Sequence, residues 1–399
     1  MGGHSIRRDG ISIDMLPFRA MELDEPRNVL HVQAGALWSD VIPYLNARGR
    51  SVAVMQSNNS FSVGGSLSVN CHGWQTHKAP IASTVEAFRI LTVDGNIVRC
   101  SRSENPELFS LALGGYGLFG VILDADLHVV SNEAYRLERL RLPTERYAAV
   151  FDERVRGVPG VAMAYGRLSV APDSFLREAI LNVFTRVPEG SGQPSSLTFP
   201  EIEPLTRAIF RGQVGSEYGK TLRWQAETRV PDALSSGPFY RNQLLNEPVE
   251  VFEDRSALTT DILHEYFLPP ESMSAFLEEV RAIVPRHGGD LLNVTLRTVE
   301  SDDDTFLRYA DRNMVALVML FNQPRTLEAD ARLEPMTRDL VDAALNHGGR
   351  YYLPYRLHPT RDQLKRAYPQ IDRFFELKRH YDPPAAFQNA FYVKYATGR

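Results

Sequence analysis

The sequence predicts an α+β protein in two main parts, and three observations carry that prediction. The stretch "VEAFRILTVDGNIVRCS" (85–101) reads as an antiparallel hairpin, two alternating β runs joined by Asp94-Gly95, a dipeptide that tolerates the positive φ of a tight turn. From about 136 to 345 the character changes to short strands, Pro/Gly turns and helices such as "ESMSAFLEEVRAIV", which marks a second α+β domain. A chain of 399 residues, 43% hydrophobic and 23% charged, is long enough to bury two cores.

Taken in order, "GISIDM" (10–15) is a β-branched run closed by Pro17 and predicts a strand. "NVLHVQAG" (28–35) alternates Val29, His31 and Gln33 against Leu30, Val32 and Ala34 and predicts another. "ALWSDVIPYLNARG" then sets Leu37, Val41, Tyr44 and Leu45 at helical spacing, with Gly49 as the stop. After the hairpin, "LGGYGLFGVILDADLHVV" closes the first part, so the expected division is 1–135, 136–345 and a last segment 346–399. Within the second part, "GSGQPSS" predicts a surface loop and "ESDDDTF" a solvated acidic turn. The final segment begins as a helix and stops at Asp382-Pro383-Pro384, because a proline pair cannot continue it.

Composition excludes several functions. The net charge of −5, with arginines spread along the chain, gives nucleic acid nothing to bind, so the expected partner is a small-molecule substrate. Two cysteines, Cys71 and Cys100, make neither a disulfide framework nor a metal site. With no long apolar run and no basic-then-apolar opening, the expected location is cytoplasmic. Oligomeric state is left open by the sequence.

Three glycine segments fall in the first third: "GGHS" (2–5), "SFSVGGSLSVNCHG" (60–73) and "GGYGLFGVI" (114–122). Free backbone N–H groups beside Ser hydroxyls suit a pyrophosphate, although a Gly/Ser turn between two elements reads equally well for any one of them. Together, in this order and spacing, they resemble the FAD-binding (PCMH-type) domain of the vanillyl-alcohol oxidase and p-cresol methylhydroxylase superfamily. "KRHYDPPAAFQNAFY" resembles the closing segment of that family, and "HEYFLP" (264–269) is similar to a cap strand of its sugar, alditol and aldonolactone oxidase branch. The resemblance covers 2–130 and the C-terminal segment. It implies a PCMH-type FAD-binding domain plus an α+β substrate cap with an antiparallel sheet.

The resemblance also implies a cofactor, FAD, and residues to hold it: Gly2, Gly3, His4 and Ser5 in the first loop, then Ser60, Ser62, Gly64, Gly65, Ser68, Asn70, His72 and Gly73 in the second. Gly117, Gly120, Val121 and Ile122 would pack on its adenine side. His4 stands where many members attach the flavin covalently, and Asn389 where the family sets an Asn near the flavin ring. A hydrogen-bonded structural role competes with a catalytic one for His72, and burial as a small residue competes with reactivity for Cys71.

Three departures from the family pattern count. Members carry a small subdomain ahead of the "GGHS" loop, and its absence here leads to the expectation of a shortened, aggregation-prone chain that holds FAD weakly or not at all. A Glu-x-Arg pair of the alditol oxidases becomes Thr295 and Arg297, so the acid is missing. A "HWGK" run becomes "YYLPYR", which puts Tyr355 or Arg356 where a lysine is expected. Arg297 and Arg356 are candidates to bind substrate oxygen or offset charge on the reduced flavin, with surface ion pairing as the competing role. Tyr266, Tyr351, Tyr352 and Tyr355 are candidates for an aromatic pocket. His264 and Glu265, adjacent on a strand, must face opposite ways, and Glu265 is a candidate base. The expected activity is therefore FAD-linked hydride removal from a C–OH carbon, with O2 or another acceptor reoxidising the cofactor. A flavin-free binding protein and an NAD(P)H-dependent double-bond reductase are the alternatives.

Overall fold

The computed structural model of the protein describes residues 10–187, 197, 210–229, 238–248 and 253–397. The "GGHS" loop with Gly2, Gly3, His4 and Ser5, and the "GSGQPSS" stretch, lie outside the described residues.

The first half is built on one sheet. Its strands are β1 (Met21–Asp24), β2 (Val29–Gln33), β3 (Arg50–Val52), β4 (Val85–Leu91), β5 (Ile97–Ser101) and β6 (Val121–Ser131), in the order β1-β2-β6-β4-β5 with β3 also on β6. Every pairing in it is antiparallel. The helices α1 (Trp38–Asn46), α2 (Val63–Ser68) and α3 (Pro106–Ala112) pack on it, and Trp38, Val41, Ile42 and Leu45 of α1 are buried as the helical spacing requires. The hairpin forms as expected, with Gly95 at φ +82°. The 10–15 run does not form a strand: among the described residues no strand pairs with it, and Ile11 is 96% exposed.

The second half is an eight-stranded sheet: β7 (Ala134–Pro143), β8 (Val161–Leu168), β9 (Glu178–Arg186), β10 (Phe239–Tyr240), β11 (Thr259–Leu268), β12 (Asp290–Val299), β13 (Met314–Pro324) and β14 (Arg350–Tyr351), in the order β10-β7-β9-β8-β12-β13-β11-β14. The helices that follow are α4 (Tyr147–Arg154), α5 (Glu217–Arg229), α6 (Arg241–Leu245), α7 (Met273–Arg286), α8 (Leu327–Asn346), α9 (Arg361–Ala367) and α10 (Ile371–Tyr381); of these α6 also packs on α1 and β3, and α10 packs on Phe119 of the first half. β14 pairs with β11, so the last strand of this sheet ends at Tyr351. The terminal helix is two helices, since Pro369 falls between α9 and α10 and removes the N–H that would join them.

No described helix is long and apolar enough to cross a membrane. The core runs without a break from one sheet into the other. The "ESDDDTF" turn is not simply solvated. Asp303 is exposed, but Asp302 is buried at the junction of the two halves, accepting from the Asn70 amide at 2.9 Å and from the backbone N–H groups of Asp304 and Thr305. A carboxylate there satisfies donors that burial would otherwise leave unpaired.

Candidate active site

The site forms where residues 70–76 of the first half cross the second sheet. Thr76 N–H donates to the Ala162 carbonyl and Ala164 N–H to the Trp74 carbonyl, so this stretch extends the pairing of β8. Further back, Tyr309 and Tyr352 donate their hydroxyls to the carbonyls of Asn70 and Val69, both at 2.7 Å. His72 is held between these ties, among the rings of Phe267, Tyr309 and Tyr352.

Register decides what His72 meets. Arg167 of β8 stands opposite Thr295 of β12, Thr295 opposite Val318 of β13, and Val318 opposite Glu265 of β11, one row across four strands on one face. Arg297, Ala316 and Phe267 form the next row on the same face. Glu265 is 4% exposed, and one of its oxygens lies 2.5 Å from His72 Nε2 while the other accepts from Tyr355 Oη at 3.0 Å. Burial pushes the Glu265 carboxyl up, but His72, Arg297 and Tyr355 together pull it below the ordinary carboxylate range. With Nε2 facing that carboxylate, His72 Nδ1 is buried without a partner.

Arg297 donates through Nη2 to Ser57 Oγ at 2.7 Å, and its Nε is buried and unpartnered. Thr295 Oγ1 accepts from Asn293 at 3.1 Å and from Arg167 at 3.5 Å. Arg167 also meets Glu227 at 3.2 Å, which Arg223 shares. Glu247 was not among the residues the sequence singles out. Its backbone carbonyl accepts from Asn59 N–H at 3.1 Å, two residues from Ser57. Its carboxylate has no hydrogen bond or ion pair to a described residue. Burial raises that carboxyl above its ordinary value, against the pull of Arg167 and Arg297.

The other expected residues divide. Of the pair at the lysine position, Tyr355 reaches the site, whereas Arg356 turns away to Asp330 of α8 at 3.0 Å. That placement does not fit a residue over the cofactor. His264 faces away from Glu265, toward Tyr266 and Thr337, and burial with help from His358 and Arg356 lowers it to about 3. Tyr352 and Tyr355 line the site, but Tyr266 packs on Phe276 and Tyr351 on Tyr368, behind the sheet. Asn389 donates to the Tyr116 carbonyl at 2.9 Å and caps Tyr392 N–H, which fastens the C-terminal segment to the first half.

In the glycine loop, Ser62 caps α2 by accepting from Gly65 N–H, and Ser60 bonds Asn59. Asn70, at φ +50°, spends its amide on Asp302 and on Ala82 N–H. A side chain at Gly64 would strike Ala34, and one at Gly73 the Met55 carbonyl, so both are packing glycines. A Cβ at Gly65 would meet only Ser62 Oγ, at 3.0 Å, and one at Gly117, φ +71°, nothing within 4 Å. Gly120, φ +145°, lies against the Leu91 carbonyl, where Val121 and Ile122 enter β6 beside β4. The Ser68 carbonyl accepts from Tyr116 N–H. Bare backbone at Gly65 and Gly117, with the sealed, partnerless polar atoms of His72, Trp74 and Arg297 nearby, fits a flat polar cofactor laid along this seam. Cys71, buried and pushed up to about 12 chiefly by that burial, is inert packing. Among the described residues no group of side chains is arranged to hold a metal ion.

Residues 1–101 match the family described as FAD binding domain, and 202–395 match D-arabinono-1,4-lactone oxidase. The chain belongs to the FAD-linked oxidoreductases with a PCMH-type FAD-binding domain, and FAD is its cofactor. The C-terminal match fits the aldonolactone oxidase branch of that class.

Similarity to individual proteins is lower. L-gulonolactone oxidase of Bos taurus is 30% identical over 148 residues, 36% of this chain and 33% of that protein. Cytokinin dehydrogenase 2 of Arabidopsis thaliana is 33% identical over 31% of the chain and 26% of its own length. Decaprenylphosphoryl-beta-D-ribose oxidase of Mycolicibacterium smegmatis is 21% identical over 97% of the chain and 85% of its own length. The chain thus spans a third or less of the lactone oxidase and of the cytokinin dehydrogenase that it matches.

Proposed function

We propose that the protein removes a hydride from a C–OH carbon of a lactone, sugar or polyol substrate, with O2 or another acceptor restoring the cofactor. The observation that supports this reading is the row of Arg167, Thr295 and Glu265, with Arg297 beside it, on the sheet face turned toward the FAD-binding half. Bound FAD would supply the two-electron acceptor for the C–H bond. Gly65 and Gly117 would hold it by bare backbone, and the unpartnered atoms of His72 and Trp74 would meet its polar edge. Arg297, fixed by Ser57, keeps Nε free for a substrate oxygen. Glu265 and Tyr355 hold His72 in one orientation, so the ring cannot swing into the substrate's place.

Anaerobic bleaching of the purified flavoprotein tests the proposal, using L-gulono-1,4-lactone, D-arabinono-1,4-lactone, xylitol and NAD(P)H in turn. Bleaching by a lactone or polyol is the expected result. Bleaching by NAD(P)H alone would move the protein to the double-bond reductases, and a colourless preparation that refuses added FAD would leave a binding protein.

A further inference from the structure

Besides Glu227, which Arg167 and Arg223 share, the site holds two carboxylates on the substrate side, and they are not equivalent. Glu265 spends both oxygens on His72 and Tyr355. It is a positioning residue. Thr295, standing where the family resemblance expects an acid, offers a hydroxyl already engaged by Asn293 and Arg167. His72 Nδ1 is sealed from solvent. Glu247 differs from all three: its main chain is fixed and its carboxylate is not. Asn59 N–H holds its carbonyl, Asn58 bridges to it, and the neighbouring Asn246 accepts from the Asn59 amide at 2.8 Å. The same short loop carries Ser57, which holds Arg297. Residues 57–59 therefore brace an acid and an arginine side by side, although the two are far apart in sequence.

We propose that Glu247 is the catalytic residue that accepts the hydroxyl proton of the substrate, a role that rests on the oxidoreductase reading above. The substrate O–H bond breaks, its electron pair stays on oxygen, and the proton goes to a Glu247 carboxylate oxygen. Bound flavin, the two-electron oxidant of this class, would take the C–H pair as the C=O bond forms. The proton then passes to solvent, which half-buried Glu247 meets. The groups facing Glu247 from the sheet are Arg167 and Tyr165 of β8 and Arg297 of β12; burial raises the carboxyl, and the two cations offset part of that rise.

The test uses the full chain loaded with FAD. The first readout needs no turnover: carbodiimide with glycinamide at pH 6, followed by peptide mass mapping, should modify Glu247 ahead of Glu265, whose oxygens are both bonded. The second is anaerobic flavin reduction by the most effective compound of the lactone and polyol panel. Glu247→Gln should reduce about a hundredfold or more slowly with flavin content and melting temperature unchanged, and Glu247→Asp should recover part of the rate. Reduction of Glu247→Gln within threefold of the unmodified protein overturns the proposal alone, as does labelling of Glu265 ahead of Glu247. Failure of every compound to reduce the unmodified protein overturns the oxidoreductase reading and this role with it.

Discussion

Replacing Glu265 probes the centre of the seam between the two halves. Glu265→Ala leaves His72 Nε2 and Tyr355 Oη without partners in a site that is 4% exposed at this residue. Losing two buried hydrogen bonds to a carboxylate, at about 1.5–2.5 kcal/mol each, costs about 3–5 kcal/mol. Unfolding entropy of about 2.1 cal/mol/K per residue makes each kcal/mol worth about 1 °C in a chain of 399 residues, so the melting temperature should fall about 4–6 °C. Glu265→Gln keeps the shape and loses only the charge, about 1–2 kcal/mol, for a fall of about 1–2 °C. Because the folded carboxyl titrates below its ordinary value, its contribution is complete above pH about 4.5 and is lost as pH falls through the depressed value. Thermal unfolding followed by circular dichroism at pH 7 and at pH 4 measures both effects. A Glu265→Ala melting temperature within about 1 °C of the unmodified protein at pH 7 would refute the reasoning, as would a gap to Glu265→Gln that widens on acidification.

Three further outcomes follow from the geometry. Gly65→Val should fold and lose FAD, whereas Gly64→Val should fail to fold because its side chain meets Ala34; the 450 nm absorbance and the melting temperature separate the two, and normal flavin content in Gly65→Val would count against the seam as the cofactor's bed. Asp302→Ala should cost about 1–3 kcal/mol by stranding the Asn70 amide, read as a lower urea midpoint, and no shift would mean that this buried contact is replaceable. Cys71 should resist a thiol reagent at pH 8 until denaturant is added, since its thiol is buried and pushed up to about 12, and prompt native labelling would contradict that burial.

Local signals made much of this architecture readable. The Asp94-Gly95 hairpin, the α1 spacing and the proline pair at 383–384 depend on residues close in sequence, and the structure has each of them. The 10–15 run has the right residues for a strand and, among the described residues, no partner, and nothing local reports a missing partner. Glu265 and His264 were separable because a strand alternates faces. Arg356 takes the ion-pairing role that the sequence also allows, because the chain turns after Tyr355, and sequence spacing does not fix the direction of a side chain in an irregular segment. Asp302 looked like one more acid in an acidic turn, and only the arrival of Asn70, 232 residues earlier, makes it a buried acceptor. Glu247 carries no signal at all in "NEPVE", since its meaning comes from Asn59 and Arg297.

The hydroxyls of Tyr309 and Tyr352, which grip the carbonyls of residues 69 and 70, constrain how this architecture can be rebuilt by recombination. A chimera that takes its FAD-binding half from one relative and its cap from another would inherit the glycine loop from the first parent and the grips from the second. Parents that differ at 70, 302, 305, 309 or 352 would yield hybrids whose loop is held in the wrong place, however well each half matches its own parent. Crossovers should therefore be chosen so that these five positions travel together, even though they lie on both sides of the obvious cut between the two sheets.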